Sequence, residues 1–353
     1  LPPGQLHRRW RQLAEAGIGI NSFSVGPLGR SVIDAIHRFI PAIFKPSKRL
    51  HHLALATRVR FLNPELVVIS QGQAFDGCYP IGLPEICRLA KVPYVLICNK
   101  AAEIHWPDDR IQALLRQSFQ ESTMIYFVSH HNQKLVSHQL AIDLSASMVV
   151  HNPFLVCYHS DLPWPPSSDG LFQLACVARM WPLEKGQDIL LTVLAMDKWR
   201  QRPLVVNFFG DGPMAEGLQN MARHLQLERV GFPGFTDPET IWRQHHGLVL
   251  PSRAEGLPLA QVEAMLCGRP VIVADAGGTA EILVDGVQGF LARSASVVEL
   301  DAALERAWQR RHDWPAIGQA AADHIRSIYP PDPCAVFADQ LEALLRQRRR
   351  PAV

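Results

Sequence analysis

The chain has 353 residues and a mass of 39.4 kDa, more than one ordinary domain needs and suited to two units of ~150–200 residues each. Hydrophobic residues make up 48% and charged residues 19%, and no apolar run reaches the ~18–20 residues of a helical membrane span, which argues against disordered, collagenous, coiled-coil and membrane-spanning helical classes. The net charge of +2 conceals an asymmetry: residues 1–152 carry 16 Lys and Arg against 10 Asp and Glu, with nine of the fifteen His, and the remainder is net negative. That basic excess is compatible with an anionic acceptor or membrane surface and too small to indicate nucleic acid. The seven cysteines (78, 87, 98, 157, 176, 267, 334) are odd in number, scattered and without a CxxC. Several sit in apolar runs, as reduced buried thiols of a cytosolic protein do, and the first residues show no signal-peptide pattern.

In chain order, residues 5–16 have helical spacing up to Gly17, and 18–23 form a short strand pattern. A basic stretch follows from 30 to 60 with apolar residues at helical spacing. Residues 66–70 predict a strand closing on Gln71-Gly72, 84–90 a short helix and 94–98 a strand. Residues 111–121 predict a helix, 124–129 a strand, 133–140 a helix and 148–151 a last strand ended by Asn152-Pro153. Strands alternating with helices indicate a parallel sheet covered on both faces. Residues 155–170, rich in Pro and ending Ser-Ser-Asp-Gly, interrupt the alternation as a linker. It then restarts: strands at 172–178, 204–209, 247–250 and 271–274, helices at 186–199, 214–225, 259–266 and 297–308. Two such units in tandem place a cleft between the C-terminal edges of two sheets. Residues 335–350 predict a final amphipathic helix whose basic end suits a helix C-terminus.

The segment 251–273 is the richest in chemistry. Pro258 suits a first helical turn and Gly268 a left-handed cap. Glu263 falls at the edge of the apolar stripe of Leu259, Val262 and Leu266, where a carboxylate needs partners. A ribose diol supplies two donors; Arg253 or Arg269 is the alternative partner. Glu255, eight residues earlier, sits in the loop that opens the helix, beside first-turn amides able to face an anion. Together they suit a nucleotide-sugar. The loop 178–186 adds Arg179 and Lys185 near a helix start, either a pyrophosphate cradle or two solvated surface cations. Gly210-Asp211-Gly212-Pro213 and Gly277-Gly278 follow strands and admit close backbone approach, although tight turns use the same residues. Neither GxxxxGK[ST] nor GxGxxG occurs, and no metal-ligand spacing stands out, so no metal site and no cofactor are expected.

Over residues 175–291 these features, in order, resemble the family 4 glycosyltransferases. They are Arg179 with Glu184-Lys185-Gly186, Gly210-Asp211-Gly212-Pro213, Gly231-Phe232-Pro233-Gly234, Pro251-Ser252, the Glu255…Glu263 pair that looks like the family's E-x7-E signature, Gly277-Gly278 and Glu281. The resemblance implies an α/β GT-B fold, two Rossmann-like domains facing across a cleft, and metal-independent transfer with retention of configuration. It implies domains at 1–157 (acceptor side) and 171–330 (nucleotide-sugar donor), a linker at 158–170, and a C-terminal helix and tail at 331–353 packing back on the first domain. By the same resemblance Arg179 and Lys185 hold and stabilise the leaving diphosphate, and Glu255 meets donor-sugar hydroxyls with Gly256, Leu257, Pro258 and Leu259. Glu263 takes the ribose, and Gly210, Gly212, Phe232, Gly277 and Gly278 complete the donor side. The expected reaction moves a hexose from a UDP- or GDP-linked donor to a hydroxyl acceptor such as a glycan, lipid-linked sugar or small molecule. The expected setting is cytoplasmic, with possible peripheral contact with anionic membrane at its inner face.

The first half matches less well. Where the family commonly carries a His facing the donor sugar, this chain has Asn99, which hydrogen-bonds but does not titrate near neutrality. His130 and the loop residue Asp76 are further acceptor-side candidates. A non-catalytic nucleotide-sugar binder, or another GT-B enzyme such as a sugar-nucleotide epimerase, is the alternative. The family's first strand and glycine loop are not visible either, so ~15–25 further residues are expected before Leu1.

Overall fold

The computed structural model describes residues 48–166 and 170–349. The elements expected at 5–16 and 18–23, the start of the basic stretch, and the question of a further first strand lie outside the described residues.

The first unit begins with helix α1 (Lys48–Leu62) and strand β1 (Val67–Gln71). It continues with α2 (Leu83–Ala90), β2 (Tyr94–Cys98), α3 (Asp109–Gln120), β3 (Met124–Phe127), α4 (His130–Leu140) and β4 (Met148–Val149). The described strands pair in parallel in the order β1-β2-β3-β4, with Val67 opposite Tyr94 and Val95 opposite Met124. Residue chemistry sets the boundaries. Asp108 caps α3 by accepting from Arg110 N–H, and Ser129 caps α4 by accepting from Asn132 N–H. Val95, Leu96, Cys98, Leu115, Phe127, Val136 and Leu140 are almost wholly buried between sheet and helices. Each such aliphatic side chain contributes ~1.5–3 kcal/mol by leaving water.

The second unit runs β5 (Phe172–Val177), the short turn of helix α5 (Pro182–Lys185), α6 (Gln187–Leu194), α7 (Asp197–Arg200), β6 (Leu204–Phe209) and α8 (Ala215–His224). Then come β7 (Val230–Gly234), α9 (Pro238–Gln244), β8 (Gly247–Leu250), α10 (Leu259–Leu266), β9 (Val271–Ala274), β10 (Gly289–Ala292), α11 (Val297–Gln309) and α12 (Trp314–Ile328). All six strands are parallel in the order β10-β9-β8-β5-β6-β7. The chain winds outward to β6 and β7 on one side of β5 and returns to β8, β9 and β10 on the other. The loops after β5 and β8 therefore flank the point where strand order reverses, the position at which open α/β sheets leave a crevice.

The single helix expected at 186–199 is two pieces, α6 and α7, and a separate turn of helix, α5, precedes it. Gly186 adopts φ +64° and ends α5, because a Cβ there would lie 1.9 Å from the Pro251 carbonyl oxygen. Met196, extended, separates α6 from α7. Strand β7 is an addition; its Gly-Phe-Pro-Gly sequence lacks strand alternation, and Pro233 is tolerated on an edge.

Two crossings join the units. Residues 150–166 pass from β4 to β5, and α13 (Pro333–Arg349) returns from α12 to the first sheet. There Leu341 is buried with Val95, Tyr126 and Val150, and the Phe337 ring meets Tyr126 edge-on at 5.1 Å. The crossings hold each other: the Tyr158 hydroxyl donates to the Tyr329 carbonyl at 2.9 Å and the Tyr329 hydroxyl to the Asn152 carbonyl at 3.0 Å. Five of the seven cysteines, Cys78, Cys87, Cys98, Cys176 and Cys267, are buried, and burial pushes the Cys78 thiol up to about 12 and Cys87 to about 11. Such thiols are unreactive at neutral pH.

Candidate functional site

Three loops at the C-terminal ends of β5, β6 and β8 build the site. After β5 the chain passes through Arg179 to α5, which ends on Lys185. After β8 it runs Pro251–Pro258 into α10. These loops are stitched together: the Glu184 carbonyl accepts the N–H groups of Arg253 at 2.7 Å and Ala254 at 3.1 Å. The Arg253 guanidinium straddles the Asp188 carboxylate at 2.7 and 2.8 Å and donates to the Pro182 carbonyl at 2.6 Å. Burial alone would raise the Asp188 carboxyl, but the Arg253 hydrogen bonds override it and hold it below the usual carboxylate range.

This stitching brings Lys185 onto Glu255. The Lys185 Nζ lies 2.7 Å from Glu255 Oε1, and the two side chains are only 17% and 9% exposed. Lys185 is thus a largely desolvated cation rather than a surface one. Arg179 is placed differently. It is exposed, stacks its guanidinium over the Trp181 ring at 5.0 Å, and has no carboxylate partner among the described residues. Gly210 and Gly212 approach the neighbouring loop: a Cβ on Gly210 would lie 2.2 Å from the Ala178 carbonyl oxygen, and one on Gly212 2.5 Å from that of Met180. They brace the Arg179 loop. Phe232 stacks on Phe208 at 5.2 Å against the core.

Leu257 and Pro258 are buried, Leu259 begins α10, and Pro258 is its N-cap rather than its first helical residue. Glu263 is 5% exposed and its Oε1 accepts the Leu155 N–H at 2.9 Å, within the crossing between the units. Of the two suggested arginines, Arg253 is on Asp188, and Arg269 donates to the Trp242 and Pro163 carbonyls at 2.8 Å each.

The first unit closes on these loops. The Glu184 carboxylate receives Lys100 Nζ at 2.6 Å and Gln73 Nε2 at 3.0 Å. The Glu281 carboxylate receives the His130 and His131 N–H groups at 3.0 and 2.7 Å, at the start of α4, where a helix end favours negative charge. Asn132, fully buried, donates to the Gly256 carbonyl at 3.1 Å. Gly256 lies against the Asn99 carbonyl and Gly278 against Ser129, while Gly277, at φ +58°, lies against the Glu255 carbonyl.

Of the acceptor-side candidates, Asn99 turns its amide into its own unit, donating to Ser70 Oγ at 3.1 Å and the Gln71 carbonyl at 2.9 Å. Asp76 is exposed and accepts the Gln73 N–H at 2.8 Å, closing its own turn. His130 is exposed at the rim. Lys100, Gln73 and Asn132 are cross-unit contacts that no residue pattern announces. Their one signal is position, just beyond strand ends or at a helix start. Among the described residues, no cluster of three or more His, Cys, Asp and Glu is arranged for a metal ion, and no helix is long and apolar enough to cross a membrane. Two cavities, of 160 Å³ beside Arg269 and 210 Å³ beside Phe337, lie away from the Lys185–Glu255 pair.

Residues 172–310 match the model of the family described as glycosyl transferases group 1. The crystal structure of Anabaena HepE in complex with UDP superposes with a TM-score of 0.68 at 21% identity, covering 83% of this chain and 82% of that one. The fold is GT-B. Among curated relatives, the Vi polysaccharide biosynthesis protein VipC/TviE of Salmonella typhi is 39% identical over 107 residues, 30% of this chain and 18% of that protein. A GDP-mannose-dependent alpha-(1-6)-phosphatidylinositol monomannoside mannosyltransferase of Mycolicibacterium smegmatis is 31% identical over 143 residues, 37% of each chain. The chain thus spans well under half the length of these curated relatives. The group 1 match falls wholly on the second GT-B unit, from β5 into the arginine-rich turn after α11.

Proposed function

We propose that the chain is a retaining hexosyltransferase of the family 4 type that moves a hexose from a UDP- or GDP-linked donor to a hydroxyl acceptor without a metal ion. The observation that carries the reading is the Lys185–Glu255 pair at the β5/β8 crevice. It joins a cation for a leaving phosphate to a carboxylate for sugar hydroxyls, within the segment matched to the group 1 family. In the transfer, the bond from the sugar C1 to the phosphate oxygen breaks and one to the acceptor oxygen forms. The acceptor's proton is released, and negative charge grows on the departing diphosphate. Lys185, with Arg179 exposed on the neighbouring loop, supplies fixed positive charge where that negative charge develops. Glu255 exchanges Lys185 for sugar hydroxyls as the cation turns to phosphate, so neither charge is left bare. Glu263 takes the ribose, exchanging the Leu155 N–H.

The VipC/TviE relative, named for polysaccharide biosynthesis, supports a glycan as acceptor, and the UDP of the HepE complex supports a uridine donor. A cytoplasmic setting, with peripheral contact to anionic membrane through the basic first half, belongs to the same reading. One observation favours a second reading as a nucleotide-sugar binder without turnover: the Asn99 amide is committed to Ser70 and Gln71 and away from the crevice. A screen of radiolabelled UDP- and GDP-sugars, with release of nucleoside diphosphate as readout, tests the proposal. Turnover abolished in Glu255→Ala and Lys185→Ala supports it. Tight donor binding in calorimetry with no turnover for any acceptor establishes the second reading instead.

A further inference from the structure

Gln187 is the first residue of α6, two positions after Lys185, and is fully buried. A buried amide is costly unless its polar atoms are paired. Gln187 pairs only one: its Nε2 donates to the Arg179 carbonyl at 2.8 Å, while its Oε1 has no partner. The carbonyl it faces is an acceptor only, which fixes the amide with its NH₂ toward Arg179. Residues at a helix start normally turn an oxygen toward the free N–H groups of the first turn. Gln187 turns its donor away from the helix and onto the loop, so capping does not explain it.

The β6 side braces the Arg179 loop through Gly210 and Gly212, which pack on Ala178 and Met180, the residues on either side of Arg179. Among the described residues the Arg179 guanidinium meets the Trp181 ring alone, and its carbonyl is otherwise reached by the Trp181 N–H at 2.7 Å, a contact inside the loop. Met180 N–H reaches the Asp211 carbonyl at 3.0 Å and holds the following residue. The tie from Gln187 links the Arg179 peptide directly to the first residue of α6, the helix that begins just past Lys185 and Gly186.

We propose that Gln187 is a positioning residue that sets the spacing between Arg179 and Lys185, so that both cations meet one diphosphate. The proposal rests on the donor reading given above and goes beyond it by assigning the residue that pre-organises the phosphate side. A cation held in place on the free protein loses less freedom on binding than one that must be ordered by the ligand.

The test uses the full chain with UDP and GDP titrated by calorimetry. Gln187→Leu, which keeps the volume and removes the donor, is expected to weaken nucleoside diphosphate binding roughly tenfold, the loss of one positioned contact. Added to Arg179→Ala it should cost nothing further, because both changes remove the same cation. Gln187→Glu supplies a second probe. Ionised, its carboxylate repels the Arg179 carbonyl; protonated, it donates again. Its binding should recover relative to wild type as pH falls from 8 to about 5.5. A purely structural role predicts neither the pH-dependent recovery nor the non-additivity with Arg179. Equal affinity of Gln187→Leu and wild type, or fully additive losses with Arg179→Ala, overturns the assignment and leaves the donor reading intact. A wild-type protein that binds neither nucleotide overturns both.

Discussion

Lys185 and Glu255 pose a question that stability and activity measurements answer separately. Their side chains are 17% and 9% exposed and 2.7 Å apart, so removing one partner leaves the other charged and poorly solvated. Breaking such a pair costs about 3 kcal/mol. Lys185→Met and Glu255→Gln should each lower the melting temperature, and the double variant should regain most of the loss. Activity should not follow that pattern. If the pair serves the donor, each single variant loses about 100-fold or more in kcat/KM and the double variant stays inactive. A double variant active at near wild-type rate would reduce the pair to a structural contact. The family resemblance singles out both members, whereas spacing alone leaves Lys185 readable as a solvated surface cation, and the structure puts it at the end of α5 rather than at a helix start. Their partners are another matter. Glu263 takes a backbone N–H from 108 residues away and Glu184 a lysine from 84 away. A peptide N–H carries no residue identity, so no pattern of side chains could announce the first of these.

The elements meet through glycines. A Cβ on Gly256 would lie 1.9 Å from the Asn99 carbonyl oxygen, and one on Gly278 2.5 Å from the Ser129 Cβ. Both neighbours are backbone or Cβ atoms that cannot swing aside. Gly256→Ala and Gly278→Ala should therefore leave each sheet folded while forcing the loop after β8 and the turn after β9 away from the ends of β2 and β3. A larger radius of gyration by small-angle X-ray scattering, with unchanged far-ultraviolet circular dichroism, is the expected result; an unchanged radius would show that the loops yield instead. Gly217 is the control. It is exposed within α8 with no atom within 4 Å of a built Cβ, so Gly217→Ala should stabilise by roughly 0.5–1 kcal/mol in a denaturant melt. Element boundaries were legible where chemistry marks them: β6, β8, α10 and β9 fall where apolar runs and flanking glycine or proline place them. They were illegible where a distant backbone decides. The unexpected turn α5 ends at Gly186, where the Pro251 carbonyl leaves no room for a Cβ, and β7 pairs with β6 despite a sequence with no strand alternation.

At the scale of the whole molecule, buried imidazoles make stability depend on pH. His245 and His246 lie at the junction of α9 and β8 and are 2% and 0% exposed. His245 Nδ1 donates to the Ile241 carbonyl at 2.8 Å, which leaves Nε2 to accept from Asn207 Nδ2 at 3.0 Å. His246 Nδ1 accepts the Gln173 N–H at 3.0 Å, and its ring packs against Trp164 and Phe172. In both, a proton must go onto a nitrogen now serving as an acceptor or onto one shut away from water. Burial accordingly lowers both pKa values below the ordinary 6.5, against smaller opposing contributions from backbone hydrogen bonds. The direction of the effect follows from proton counting. Above about pH 6.5 neither state binds the proton and the native fold keeps its full stability. Below it the unfolded chain takes up protons that the native chain refuses, and stability drains away by up to about 1.4 kcal/mol per pH unit for each imidazole until the lowered native value is reached. The carboxylates held low by arginine or lysine, Asp188 and Glu305 among them, act in the same direction but only below about pH 4.5. Calorimetric melts should therefore show a melting temperature that is flat from pH 8 to 7 and falls between 6.5 and 5, before the carboxylates titrate. His246→Asn, whose side-chain oxygen replaces the Nδ1 acceptor without a titrating group, should flatten part of that fall. A melting temperature that stays level down to pH 5 in the wild type would mean that the two imidazoles reach water in the native state, and that the seam between β5, β6 and the start of β8 opens more readily than its packing implies.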